Sequence, residues 1–423
     1  MRPLLISVCL SVLLFAPALV PGGEKTSAHT WNDRGIRLFQ EEDYRRALTC
    51  FGEAHRAMPE DETIQFNLAS AHARLAMKLV RENPGRLQLA EALMEAEHAV
   101  ALQPEHPFFQ NVLGFVHQER GEPGEALRAY ARAAELDPGD GGTRVLMGNA
   151  AYQLDDLEGA IDHWQSALRL EPDQQEVVSR LEKAERERGI EKNYRLLRSR
   201  HFRMRYDPAY DGGEEKAERM IDLLEEARRT VRDALGRTPT APVSVVVYTP
   251  GDFRELMGAH HWTRGLYDGK IRLPFLAEGE SEEDLRKLTV HEYVHVVIYD
   301  WTEDRCPAWL NEGLAQFIAG EWTPDRERRL QMLMAEPSWL PLSELEASFL
   351  RLPESAVENA YIEAHVVTNH LLAFYTKRHL ELLLDRLAAG TPPEEALQGA
   401  YHRSYARILE EAFAQSASGL ASR

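Results

Sequence analysis

The chain has 423 residues, 44% of them hydrophobic and 28% charged, with a formal net charge of -19. This is the composition of an ordinary globular protein with two or three domains. The acidic balance argues against a nucleic-acid partner, whose phosphates require a basic face. Three cysteines in such a length exclude a fold stapled by disulfides.

The chain opens as an export signal, predicted over residues 1–28. Arg2 supplies a positive start, Leu4 to Phe15 an apolar core, and Ala16-Pro17-Ala18 a small-residue cleavage site. A later cut, near Ala28, is the alternative. An uncleaved anchor would be the only route to a membrane, because no other stretch is long and apolar enough to span one. Cys9 sits mid-core rather than at its end, a poor place for lipid attachment. The expected location is therefore periplasmic or extracellular. Cys50 and Cys306 are expected to remain as unpaired, largely buried thiols.

From residue 29 the chain repeats. Pro104, Pro138 and Pro172 recur every 34 residues, and the same interval links Gly114 to Gly148, Ala126 to Ala160, Tyr130 to Trp164 and Ala133 to Ala167. Each unit reads as a helix, a turn, a second helix and a proline stop. An earlier unit fits through Trp31, Gly35, Ala47, Phe51, Ala54 and Pro59. Another fits through Leu68, Ala69, Ala92, Ala96, Ala99 and Pro104, with about eleven extra residues between its halves, where Asn83-Pro84-Gly85 reads as a turn. Gln174 to Arg188 reads as a polar closing helix. The pattern resembles the tetratricopeptide repeat: an all-α solenoid of four repeats and a closing helix, over 29–190. The resemblance implies a protein or peptide partner on the concave face, where Asn111 and Asn149 are candidate contacts. A simple spacer is the alternative.

The pattern changes near Asn193, where the second domain, 191–423, is predicted to begin. His201 to Tyr206 alternates like a strand, and Glu214 to Leu235 is an amphipathic helix. Pro242 to Tyr248 is a valine run, read as a strand buried on both faces. Asp252 to Met257 opens a short helix, and a hairpin is predicted around Asp268-Gly269. Helices follow over 282–299 and 307–320, and the remainder is mostly helical.

The first of those two helices carries His291-Glu292-x-x-His295. Four residues apart on a helix, both imidazoles share one face. Two neutral imidazoles can hold Zn²⁺, with the intervening glutamate as general base for a metal-activated water. Glu312 on the second helix is the candidate third ligand, in the company of Trp309, Leu310, Leu314 and Phe317. The segment Pro307-x-Trp309-Leu310-Asn311-Glu312-Gly313-Leu314-Ala315, after strands and before a helical region, resembles the peptidase MA-like gluzincin metallopeptidases. The fold class implied is α+β, following the all-α solenoid. The resemblance implies zinc held by His291, His295 and Glu312, with Glu292 as base. It also implies a mixed sheet whose edge, within Gly265 to Leu273, holds an extended peptide.

The same resemblance implies an oxyanion donor on a later helix. Ala360-Tyr361-Ile362-Glu363-Ala364 makes Tyr361 the candidate, with His365 as alternative and His260 and His261 as weaker ones. Asn311 and Gln316 are candidate partners behind the ligands. Cys306 is expected to be structural, since a fourth protein ligand would close the site. The Gly-x-Met-Glu-Asn segment by which gluzincin aminopeptidases capture a substrate amino terminus is missing from His261 to Phe275, which argues against that subtype. The expected function is an exported zinc peptidase with a partner-binding array. The alternatives are an envelope scaffold with a silent zinc domain, or a zinc hydrolase of non-peptide amides.

Overall fold

A computed structural model describes residues 23–82, 86–257, 265–275, 281–335 and 339–421. Residues 1–22 of the expected export signal, the expected turn at Asn83-Pro84-Gly85, and His260 and His261 lie outside the described residues. The chain divides between Gly189 and Ile190 into two compact units. Among the described residues no helix is long and apolar enough to cross a membrane.

The amino-terminal unit is a ladder of antiparallel helix pairs. They are α1 (Gly23–Gln40) with α2 (Tyr44–Ala57), α3 (Glu62–Arg81) with α4 (Arg86–Leu102), α5 (Pro107–Glu119) with α6 (Pro123–Leu136), and α7 (Gly141–Gln153) with α8 (Leu157–Leu170). The starts are set locally. Asp43, Asp61, Asp140 and Asp156 each accept a hydrogen bond from a first-turn backbone N–H. One contact recurs in three pairs: a Cβ added to Gly35, Gly114 or Gly148 would collide with the ring of Phe51, Tyr130 or Trp164. The glycine lets the aromatic lie flat against the facing helix. In the second pair Ala69 and Ala96 are both fully buried and no ring intervenes. The final helix, α9 (Gln175–Glu191), covers the array's last apolar face with Val177 and Ala184.

Two expectations change here. Helix α1 begins at Gly23, ahead of residue 29, and Ala28 is fully buried beside Ala54 and Ile64. Asn111 and Asn149 are bonded to neighbouring helices rather than open to a partner. Both are buried; Asn111 donates to Thr143 Oγ1 at 2.6 Å, and Asn149 accepts from Trp164 Nε1 at 3.2 Å and from Arg180 Nη1. They join neighbouring helices rather than await a peptide.

The carboxy-terminal unit contains β1 (Arg195–Arg198), β2 (Phe202–Tyr206), α10 (Gly213–Leu235), β3 (Val243–Tyr248), α11 (Pro250–Met257), β4 (Leu266–Tyr267) and β5 (Ile271–Pro274). Then follow α12 (Glu282–Thr302), α13 (Ala308–Ala319), α14 (Pro324–Ala335), α15 (Leu342–Glu346), α16 (Glu354–Phe374), α17 (Lys377–Ala388), α18 (Pro393–Tyr401) and α19 (Tyr405–Ala421). The five strands form one mixed sheet in the order β1-β2-β3-β5-β4. The pairs β2–β3 and β3–β5 are parallel, and both edge pairs are antiparallel. The valine run is β3, at the centre. Val245 and Val247 join Phe202, Met204, Ile271 and Leu273 in the main core, while Val246 and Tyr248 pack with Phe253 on the other face. The predicted hairpin is present, turning through Gly269 at φ +101°.

Strand β1 is absent from the sequence reading. Its residues are mostly exposed, so it carries no apolar alternation to announce it.

Candidate metal centre

Helix α12 begins with a capping box. The Ser281 hydroxyl accepts from the Asp284 backbone N–H, and the Asp284 carboxylate accepts from the Ser281 N–H. Leu285, Leu288, Val290, Val294, Val297 and Ile298 are buried, which fixes the helix rotation and brings His291 and His295 to one side. Their rings stand 4.8 Å apart, nearly perpendicular.

Helix α13 meets that side. His291 Nε2 lies 3.5 Å and His295 Nε2 3.8 Å from the same Glu312 oxygen, Oε2. Donors around a tetrahedral zinc, at bond lengths of about 2.1 Å, would stand roughly 3.4 Å apart. Glu312 Oε2 has no hydrogen-bond donor although it is buried. An unpartnered carboxylate oxygen facing two imidazole nitrogens is what a divalent metal ion would satisfy, and the residues fit such an ion.

The far side of each ring is also held. His295 Nδ1 hydrogen-bonds Asn311 Oδ1 at 3.0 Å. His291 Nδ1 lies 3.0 Å from Glu321 Oε1, as an ion pair rather than an aligned hydrogen bond. With Nδ1 engaged behind, Nε2 is the atom of each ring left to face a metal ion. Asn311 was expected in this role; Glu321 was not. It arrives because α13 ends at Gly320, whose φ of +67° reverses the chain, with the Glu321 N–H bonded back to Gln316 O at 3.0 Å. A glutamate directly after a helix-ending glycine is the signal that could have found it. Gln316 bonds elsewhere: it donates to Tyr361 O at 3.1 Å and accepts from Arg326 Nη1 at 3.1 Å, so it braces α13 against α16.

The electrostatics follow from burial among few charges. Burial disfavours the His291 cation, but Glu321 and Glu312 outweigh it and raise its pKa well above the ordinary value. Burial and the His291 charge lower His295. Burial opposes the Glu312 charge too, yet the two imidazoles hold its pKa below the ordinary range. Glu292 differs. Burial raises its pKa to about 8, helped by Glu312 and Glu321, and its Oε2 has no partner. It is a buried carboxylate of high proton affinity beside the three donors, as a general base requires. The chain crosses directly over it at Gly265, where an added Cβ would collide with Glu292 Oε1. The edge hairpin thus begins on top of the base.

The α16 residues arrive through another close approach. A Cβ on Gly313 would stand 2.5 Å from Ala364 O and collide with Thr368. Gly313 therefore sets how near α16 lies to α13. Tyr361 interacts electrostatically with Glu312 first and Glu292 next; burial and these carboxylates raise its pKa well above the ordinary value, so the phenol keeps its proton. His365 lies in a different setting. It stacks on Trp322 at 4.4 Å, and burial and Arg326 lower its pKa to about 4. Of the two, Tyr361 is the one that interacts electrostatically with Glu312 and Glu292. Phe317, expected among the buried residues around Glu312, is 40% exposed. Cys306 is unpaired, burial pushes its thiol up, and it takes no part in the cluster.

Residues 227–414 match the family model of the Peptidase MA superfamily. The peptidase MA region thus contains all three donors, Glu292 and Tyr361. The repeat unit has relatives of its own. It is 26% identical over 122 residues to the small glutamine-rich tetratricopeptide repeat-containing protein 2 of Saccharomyces cerevisiae, a match over 29% of this chain and 32% of that protein. The chain thus spans about a third of the length of the curated relative it matches. Among solved structures, MamA from Desulfovibrio magneticus RS-1 is similar over 36% of this chain and 79% of that one, at 23% identity and a TM-score of 0.29. YrrB, described as a tetratricopeptide-repeat protein with an unusual peptide-binding site, is similar over 37% and 75%, at 22% identity and a TM-score of 0.30. The chain thus joins a helical repeat region to a carboxy-terminal region that matches the Peptidase MA superfamily.

Proposed function

We propose that the protein is an exported, zinc-dependent peptidase of the gluzincin type, whose repeat array binds a protein partner or the substrate. The observation that carries this reading is the convergence of His291, His295 and Glu312 beside a buried carboxylate with an unpartnered oxygen. Zinc, when bound there, supplies a polarised water of lowered pKa. The chain's own groups do the rest. Glu292 takes a proton from the attacking water and returns it to the departing amine nitrogen. The Tyr361 hydroxyl, kept protonated by burial, donates to the oxygen on which negative charge develops. The edge strand β4, adjoining the base at Gly265, offers backbone groups to an extended peptide.

The buried position of Ala28 favours a signal cut at Ala16-Pro17-Ala18 over one near Ala28, which would remove part of α1. A partner on the array is supported by its stacked helix pairs, the architecture that repeat proteins use to present an extended binding surface.

The decisive experiment is hydrolysis profiling on a broad peptide library with a chelator control. Glu292→Gln is expected to keep the metal and lose hydrolysis by at least 100-fold, a typical contribution of a general base. Hydrolysis surviving in Glu292→Gln would overturn the catalytic assignment. Metal-loaded wild type that cleaves no peptide in the library would favour the scaffold or the non-peptide amide hydrolase.

A further inference from the structure

A second group of metal-binding side chains lies in the repeat array, outside everything described above. His72 on α3 faces Glu95 and His98 on α4. His72 Nδ1 stands 2.6 Å from Glu95 Oε2, and the two imidazole rings are 5.1 Å apart. One donor atom from each of the three residues lies within 4.8 Å of the others. Glu95 and His98 are three apart on one helix, so both project from the same face. A Glu-x-x-His turn answered by a ligand from a facing helix is how helical bundles build metal sites. A hydrogen bond to Glu95 accounts for His72 alone; it gives no reason for a third ligating ring to converge on the pair. His72 and Glu95 are mostly buried and His98 is exposed, which leaves the group open to an ion from solvent.

We propose that His72, Glu95 and His98 form a second divalent-metal site, which clasps α3 to α4. Two imidazole nitrogens and one carboxylate oxygen suit zinc, cobalt, nickel or copper, and not the oxygen-seeking magnesium or calcium. The ion enters as the proton between His72 Nδ1 and Glu95 leaves to solvent, and water fills the remaining coordination. The position gives the clasp a purpose. The extra residues of this unit lie in its helices, 20 residues in α3 and 17 in α4, rather than in a long connection, and the pair lacks the aromatic-on-glycine contact of the other three pairs. A metal bridge would hold its two helices where that contact is missing.

The test uses the full-length chain with Zn²⁺ or Co²⁺ alone and reads bound equivalents, the cobalt absorption band and Tm. Wild type is expected to hold two equivalents. The His291→Ala/His295→Ala variant should hold one and melt higher with zinc than without. His72→Ala/His98→Ala should also hold one, by then at the first site. The exposed His98→Asn and the conservative Glu95→Gln, with circular dichroism as the folding check, should each lower affinity for the second equivalent at least tenfold. The proposal is overturned if the His291→Ala/His295→Ala variant binds no metal. It is equally overturned if the four-site variant, lacking His72, His98, His291 and His295, binds as much as that double variant. Neither outcome bears on the first site, which is read from His72→Ala/His98→Ala.

Discussion

Glu321 stands behind the candidate metal centre without being one of its three donors. It pairs with the rear nitrogen of His291 and is itself approached by Arg326 at 3.8 Å. Glu321→Gln keeps the shape and removes the charge. Partners of this kind are worth about 10–100-fold in metal affinity, so a chelator competition should show a loss of that size, while Glu292→Gln binds as wild type does. Unchanged affinity in Glu321→Gln would reduce the pair to a structural contact. The residue scale is also where the sequence is most and least legible. His291, Glu292 and His295 are readable because one helical turn relates them. Glu312 is readable from its motif. Glu321 is thirty residues from His291, and only the reversal at Gly320 brings them together. Asn111 and Asn149 mislead because a polar side chain on a repeat helix looks the same whether it meets a peptide or the next helix.

At the scale of elements, the site depends on the crossing of α13 and α16. Gly313 permits it, and the same helix α16 carries Tyr361. Gly313→Ala must push α16 away from Ala364 O and Thr368. Overpacking of this kind costs about 1–3 kcal/mol. The expected result is a lower Tm and a fall in kcat larger than any change in metal content, because the proposed zinc ligands lie on α12 and α13 while Tyr361 lies on α16. Equal losses of metal and rate would place the damage at the ligands instead. Most elements were legible: the repeat helices from their interval, β3 from its valines, α12 from its apolar face. Strand β1 was not, since an exposed edge strand needs no apolar pattern and is held by its antiparallel ladder to β2.

At the scale of the carboxy-terminal unit, one buried carboxyl ties distant parts together. Glu363 Oε2 accepts from the Leu340 backbone N–H at 3.2 Å, and Oε1 accepts from the Tyr405 hydroxyl at 3.3 Å. Burial raises its pKa to about 7, against a lowering pull from those two bonds. A carboxyl raised in the folded state stabilises the fold below its unfolded pKa, near 4.5, and that contribution is lost as pH rises through about 7. Unfolding free energy should therefore fall between pH 5 and pH 7 by about 2 kcal/mol from this group. Glu363→Gln should flatten that part of the stability-against-pH curve. An identical slope in the variant would assign the effect to other groups.

The two thiols among the described residues have a consequence for how these units are made. Cys50 is buried in the repeat core, Cys306 is half-buried in the other unit, and burial raises the pKa of both. Protonated thiols of this kind are slow to exchange or oxidise. Biogenesis of the two units thus calls for no oxidase or disulfide isomerase. A host cell's reducing cytoplasm and its oxidising envelope are equivalent nurseries for this fold.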